Sequence, residues 1–297
     1  MAVVAWSRMK LFRLRLVRIA VLVAALVIRC GGCAQGESRS LTILHVNDLH
    51  ARFLPDEEGR GGFAELATAI RREREKSPGA LVLNAGDLVQ GTPVSSIYEG
   101  VPCYEVASAM GFDAATLGNH EFDYTWRKIP EFFRAASFPI VCANVVRERG
   151  ELLAPRPYVI LKANGVRVGV IGALMEHLEL LTKARQRGPW RVLPVVETVR
   201  RYVWALREKT DLIVVLGHLF AEEEDQLLRE VPEVKPLSGR TQAARVKSPV
   251  NEMLGRSATL TKSLTPSKRK APSAGLPVLP PTQAAPGSMF VRAPELP

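Results

Sequence analysis

The 297-residue sequence is poor in cysteine, histidine and long apolar runs, and each scarcity closes off a class of protein. Its four cysteines are Cys30, Cys33, Cys103 and Cys142. Cys30 and Cys33 make a single C-x-x-C with no second pair, which leaves no zinc site of the paired kind. Cys103 and Cys142 fit either a disulfide or two buried thiols, because sequence does not fix their separation. Histidine occurs at 45, 50, 120, 177 and 218, and none follows His218. The apolar stretch Ile19 to Ile28 has ten residues. As a helix it would span about 15 Å, too short for a bilayer core of about 30 Å. No internal repeat is present.

The net charge of +10 does not mark a nucleic-acid binder, because it sits in the two ends. Residues 1–34 hold six Lys/Arg and no acid, and residues 235–297 hold ten Lys/Arg and two acids, which leaves 35–234 at −4. No nucleic-acid partner is expected. The first 34 residues read as an export signal. Arg8, Lys10, Arg13, Arg15 and Arg18 precede the apolar stretch, and Gly31, Gly32 and Ala34 supply small residues for cleavage. Lipidation at Cys33 and an uncleaved anchor are the alternatives, and membrane contact is expected only through this segment. The expected location is the periplasm or cell envelope.

Residues 41–234 alternate between short apolar runs and helical periodicity. Strands are expected at Leu41–Val46, Ala80–Ala85, Asp113–Leu117, Pro139–Ala143, Tyr158–Gly172 (with an Asn164-Gly165 hairpin turn) and Asp211–Leu216. Helices are expected at Gly61–Lys76, Val101–Met110, Thr125–Ala136, Val195–Lys209 and Glu222–Glu230. The runs are apolar at successive positions, so the strands are covered on both faces, as in an α/β sandwich. Beyond 234 the sequence turns to Pro, Ala, Ser, Lys and Arg, a composition expected to stay disordered.

Polar motifs close the strands. Asp48-Leu49-His50 follows the first, Gly86-Asp87 the second, Gly118-Asn119-His120-Glu121-Phe122-Asp123 the third, and Gly217-His218 ends a later one. Loops from several strand ends converge in such sheets and form their active sites. Asp48, His50, Asp87, Asn119 and His218 offer mixed N/O ligands suited to Zn, Mn, Fe or Co. A carboxylate such as Asp87 has two oxygens and can bridge two ions, and ions about 3.5–4 Å apart suit in-line phosphoryl displacement. His120 precedes Asp123 by three residues, so the carboxylate can fix its tautomer and let it protonate a leaving alkoxide. His45, inside a strand, reads as core, and His177 as surface. The acids of Glu222 to Asp225 read as a helix N-terminal turn.

At Leu41–His50, Asn84–Thr92, Leu117–Asp123, Cys142–Val145 and Leu216–Leu219 the sequence resembles the metallophosphoesterase domain of the 5′-nucleotidase family, a branch of the calcineurin-like phosphoesterases. The resemblance implies a metallophosphoesterase-type α/β sandwich, with two sheets flanked by helices and incomplete on its C-terminal side. It implies two divalent metal ions and hydrolysis of nucleotide phosphoesters or cyclic nucleotide phosphodiesters. Asp48 and His50 would then bind the first metal, Asp87 both, and Asn119 and His218 the second. His120 and Asp123 would form the catalytic pair, and Asn144 would be structural. The family continues with a Gly-His-x-His or Gly-His-x-Gln segment that adds a ligand to each metal. Here that region reads Ser238-Gly239-Arg240-Thr241-Gln242, so the second site is expected to be incomplete and activity impaired. The family's second domain has no counterpart, which suggests a truncated or frame-shifted chain. An inactive remnant and a thiosulfate-ester hydrolase of the same superfamily are the alternative functions.

Overall fold

The computed structural model describes residues 39–238 and 258–262, with side chains for 40–234. The expected signal of residues 1–34, and Arg240 and Gln242, lie outside the described residues.

Two four-stranded sheets face each other. In the first, β1 (Arg39–Val46), β2 (Leu81–Asn84) and β3 (Ala114–Ala115) run parallel, and β10 (Ala258–Lys262) lies antiparallel on the outer side of β1. In the second, β5 (Tyr158–Ala163) and β6 (Val166–Leu174) form a hairpin, and β8 (Leu212–His218) and β9 (Lys235–Ser238) follow in parallel. The hairpin turns at Asn164-Gly165, both at positive φ (49° and 73°), as a type I′ connection requires. A small ladder pairs β4 (Val145–Val146) with β7 (Arg191–Val192).

The period of two along each strand explains why the runs are apolar throughout. Leu41 and Ile43 of β1 meet Val168, Val170, Val214 and Leu216 between the sheets. Leu44 and Val46 turn the other way, against helices α1 (Phe63–Lys76), α3 (Val101–Met110) and α4 (Ile129–Ala135). In the second sheet Ile213 and Val215 pack on α6 (Val195–Leu206) and α7 (Ala221–Glu230). The layers are therefore α, β, β and α, as expected. His45 shares the inter-sheet parity of Ile43 and is buried, and His177 is exposed. The acids after Phe220 form the first turn of α7, where the Glu223 carboxylate accepts the Phe220 N–H at 2.9 Å.

Several expectations need correction. Two segments of the stretch expected to be disordered are strands, β9 and β10, which pair with the otherwise open edges of β8 and β1. The third strand shrinks to Ala114–Ala115; at its N-terminal end the Asp113 carboxylate, not the backbone, takes the Val82 N–H at 2.7 Å. Pro139–Ala143 is no regular strand. It crosses from one sheet to the other, with Val141 N–H bonded to Ala115 and Ala143 N–H to Gly172. The helix expected from Thr125 starts at Ile129, since Thr125 itself has φ 71°. A five-residue helix, α2 (Pro93–Ile97), was not expected, although Thr92-Pro93 is a cap followed by an N1 proline. Cys103 and Cys142 are buried free thiols, each pushed up to about 12 by burial. Among the described residues no helix is long and apolar enough to cross a membrane.

Candidate active site

The strand ends bring the sequence motifs together. His218 is the last residue of β8 and has the parity of Leu216, so it reaches across to the first sheet. Its Nδ1 lies 2.9 Å from the Ala85 carbonyl. A carbonyl only accepts, so Nδ1 carries the proton and Nε2 is the ring's ligand atom. That Nε2 stands 3.2 Å from Asp87 Oδ2. Asp87 is buried at the centre of the group. Its Oδ1 accepts the His120 N–H at 3.0 Å, and its Oδ2 is 4.0 Å from His120 Nε2.

Two clusters of donor atoms share Asp87: His50, Asp87 and His120 in one, and Asp48, Asp87 and His218 in the other, each with its ligand atoms within 4.8 Å. The sharing fits a carboxylate between two cations, and the nitrogen–oxygen mixture fits the divalent metals expected. The grouping differs in detail from the sequence-based set, which paired Asp48 with His50. Their side chains do meet, at 3.8 Å, but His50 also lies edge-on to His120 with ring centres 5.0 Å apart. Asn119, next to His120 in the chain, is buried. His120 Nδ1 lies 2.7 Å from Asp123 Oδ2, the pairing expected.

Electrostatics follow from this crowding. Burial alone would raise the Asp87 carboxyl, but the hydrogen bond and charge of His218, with help from His120, hold it below its ordinary value. Burial would likewise lower His218, and Asp87 outweighs it, raising the imidazole to about 9. The hydrogen bond to Asp123 raises His120.

Glycine is required where the loops touch. A Cβ on Gly86 would lie 2.8 Å from Gly118 N, and one on Gly118 would collide with Asp87 Oδ1. These contacts explain why both motifs begin with glycine.

Sequence reasoning gave Glu121 no role. It is fully buried, and its carboxylate accepts three backbone N–H groups: Asp87 (3.1 Å), Leu88 (2.9 Å) and Gly118 (2.5 Å). It therefore ties the second and third loops together. The available signal was an acid between the apolar residues Leu117 and Phe122. Asn144 is structural, as expected: its amide pairs with both the N–H and the C=O of Leu174 at 2.9 and 2.6 Å.

Comparison with known proteins identifies the family. Residues 41–236 match the calcineurin-like phosphoesterase family. The 5′-nucleotidase of Vibrio cholerae is 31% identical over 213 residues, 67% of this chain and 38% of that protein. The 2′,3′-cyclic-nucleotide 2′-phosphodiesterase/3′-nucleotidase of Haemophilus influenzae is 30% identical, over 64% of this chain and 33% of that protein. The crystal structure of a 5′-nucleotidase precursor from Thermus thermophilus superposes with a TM-score of 0.63 at 28% identity, covering 74% of this chain and 48% of the other. The chain thus spans well under half the length of these curated relatives. With that match spanning about two thirds of the sequence, the chain belongs to the calcineurin-like phosphoesterase family.

Proposed function

We propose that this protein is a metal-dependent hydrolase of nucleotide phosphoesters, of the 5′-nucleotidase or 2′,3′-cyclic-nucleotide phosphodiesterase type, working after export. The observation that carries the proposal is Asp87, shared by two donor clusters, one of which includes His120 of the His120–Asp123 pair. Asp48, His50 and Asp87 would hold one divalent ion, and Asp87, Asn119 and His218 a second. Such ions supply positive charge to the phosphoryl group and acidify water.

The chain's own residues carry the remaining steps. Water attacks phosphorus as the ester P–O bond opposite it breaks. The leaving oxygen takes a proton from His120 Nε2, while the attacking water gives one up to solvent. Asp123 holds Nδ1 and stabilises the imidazolium before transfer. With Ser238-Gly239-Arg240 where the resemblance implies a further histidine, turnover is expected to be slow.

Purified protein is assayed for phosphate release from AMP and for opening of 2′,3′-cyclic AMP, with chelator and then with added Zn, Mn, Fe or Co. Metal-restored release supports the proposal, and no release with any of the four overturns it. The same Arg240 motivates the second reading, an inactive remnant. Bound metal per chain separates them, with two ions favouring the enzyme and one or none the remnant.

A further inference from the structure

Asp123 has a second partner. Its Oδ2 faces His120, while its Oδ1 and its backbone carbonyl are both reached by the side-chain amide of Gln186, at 3.4 and 3.3 Å. The orientation of that amide is fixed from behind. Gln186 Oε1 accepts the Lys183 N–H at 2.8 Å, so the NH2 group must face Asp123. An NH2 group has two protons, one for each acceptor.

The segment carrying Gln186 includes α5 (Ala184–Arg187) and is bound to the Asp123 turn at several points. Trp126 N–H donates to the Gln186 carbonyl at 2.7 Å. The Trp126 indole closes over Gly188 so tightly that a Cβ there would collide with the ring. Trp126 also meets Trp190 edge-on, with centres 6.3 Å apart, and the Arg147 guanidinium lies over both rings at 5.7 and 4.7 Å. Residues 183–190 thus form a strap along residues 123–126.

We propose that Gln186 is a positioning residue for the His120–Asp123 pair, holding the Asp123 carboxylate so that His120 keeps its Nδ1 proton on Asp123 and presents Nε2 to the leaving oxygen. The effect on rate rests on the hydrolase reading above, but the positioning of Asp123 does not. A lesser role competes, since the same Oε1 caps α5 by accepting from Lys183. Gln186→Glu separates the two. It keeps the capping oxygen but turns a carboxylate toward Asp123. Gln186→Leu removes both functions.

Two measurements on the full chain test this. The first is the imidazole 15N–1H signal of His120 Nδ1 in metal-free protein, assigned by its absence from His120→Gln. The wild type is expected to show a protected signal, which both Gln186 variants lose or broaden. If Gln186→Glu keeps the signal, the amide only caps the helix and the proposal fails. The second is the rate on AMP relative to p-nitrophenyl phosphate, whose aryl oxide leaves without a proton. That ratio is expected to fall about tenfold in both Gln186 variants and in Asp123→Asn, since general-acid help is worth ~10²–10⁴ when lost entirely. Equal losses on both substrates overturn the proposal. A wild type inert on both substrates defeats the hydrolase reading instead, and the His120 signal then decides the role of Gln186.

Discussion

Replacing Glu121 with glutamine tests how the site is held. Glu121 is buried and accepts from Asp87 and Gly118 through Oε2 and from Leu88 through Oε1. Glutamine keeps a single acceptor oxygen. If that oxygen serves Asp87 and Gly118, the Leu88 N–H faces an NH2 group and is orphaned, at about 1–3 kcal/mol. The two retained bonds lose their charge assistance, worth about 1 kcal/mol each. One effect opposes these. Burial and the nearby Asp87 raise the Glu121 carboxyl, so removing its charge returns part of the loss. The net expectation is a destabilisation of about 2 kcal/mol, a substantial share of a typical 5–15 kcal/mol. Urea unfolding of metal-free protein measures it, and Mn2+ titration should show weaker binding, because the bond that anchors the Asp87 N–H is weakened and that of its neighbour Leu88 is lost. Glu121→Ala should be worse, since all three N–H groups lose their acceptor and a cavity opens. A glutamine variant as stable as the wild type, with unchanged Mn2+ affinity, would refute the claim that this carboxylate joins the two loops.

Other perturbations probe neighbouring links. The metal-free protein should weaken toward alkaline pH: His218 holds its proton to about 9 when folded and about 6.5 when unfolded, so its contribution is complete below 6.5 and lost through 9. Roughly 5 °C or more of Tm should be lost between pH 6 and 9.5, because a pKa unit is about 1.4 kcal/mol and 1 kcal/mol moves Tm by about 2–4 °C. The same slope in His218→Asn would show that another group is responsible. Asn144→Ala should cost about 2–4 kcal/mol in thermal unfolding, since it strips the Leu174 N–H and C=O of their partners. Gly118→Ala should displace the Asp87 carboxylate and so lower metal content in the purified protein more than it lowers Tm. Unchanged metal content would contradict that account.

The elements legible in the sequence were those whose signal is local. The buried strands announced themselves as apolar runs, the long helices by their period, and Asn164-Gly165 as a turn. Asp48, Asp87, His120 and His218 were legible because each follows such a run, and strand ends gather at one side of a parallel sheet. What was not legible depends on distant partners. Gln186 carries no local mark, and its link to Asp123 spans 63 residues. Glu121 sits inside a recognised motif, but its task is set by backbone groups of another loop. Strands β9 and β10 have weak composition and are explained by the edges they cover. The start of β3 was misjudged because a side chain, that of Asp113, replaced a ladder bond.

The backbone of the ligand loops shows how firmly the fold sets this site. Asp48, His50, Ala51 and Asp87 all have φ near +50°, a region that costs a non-glycine residue roughly 1–2 kcal/mol. Such a concentration persists only where surrounding bonds over-determine it. Those bonds are present: Asp48 N–H to Gly86 O at 3.2 Å, His50 N–H to Asp87 O at 3.1 Å and Ala51 N–H to Leu88 O at 2.9 Å. The pairing of β1 with β2 therefore continues past both strand ends into the loops that carry Asp48, His50 and Asp87. Glu121 fixes the same loop from the side of Gly118, and the Ala85 carbonyl fixes the His218 ring. The donors are thus drawn together by main-chain bonds that need no ion, so a metal entering the site would meet donors already assembled.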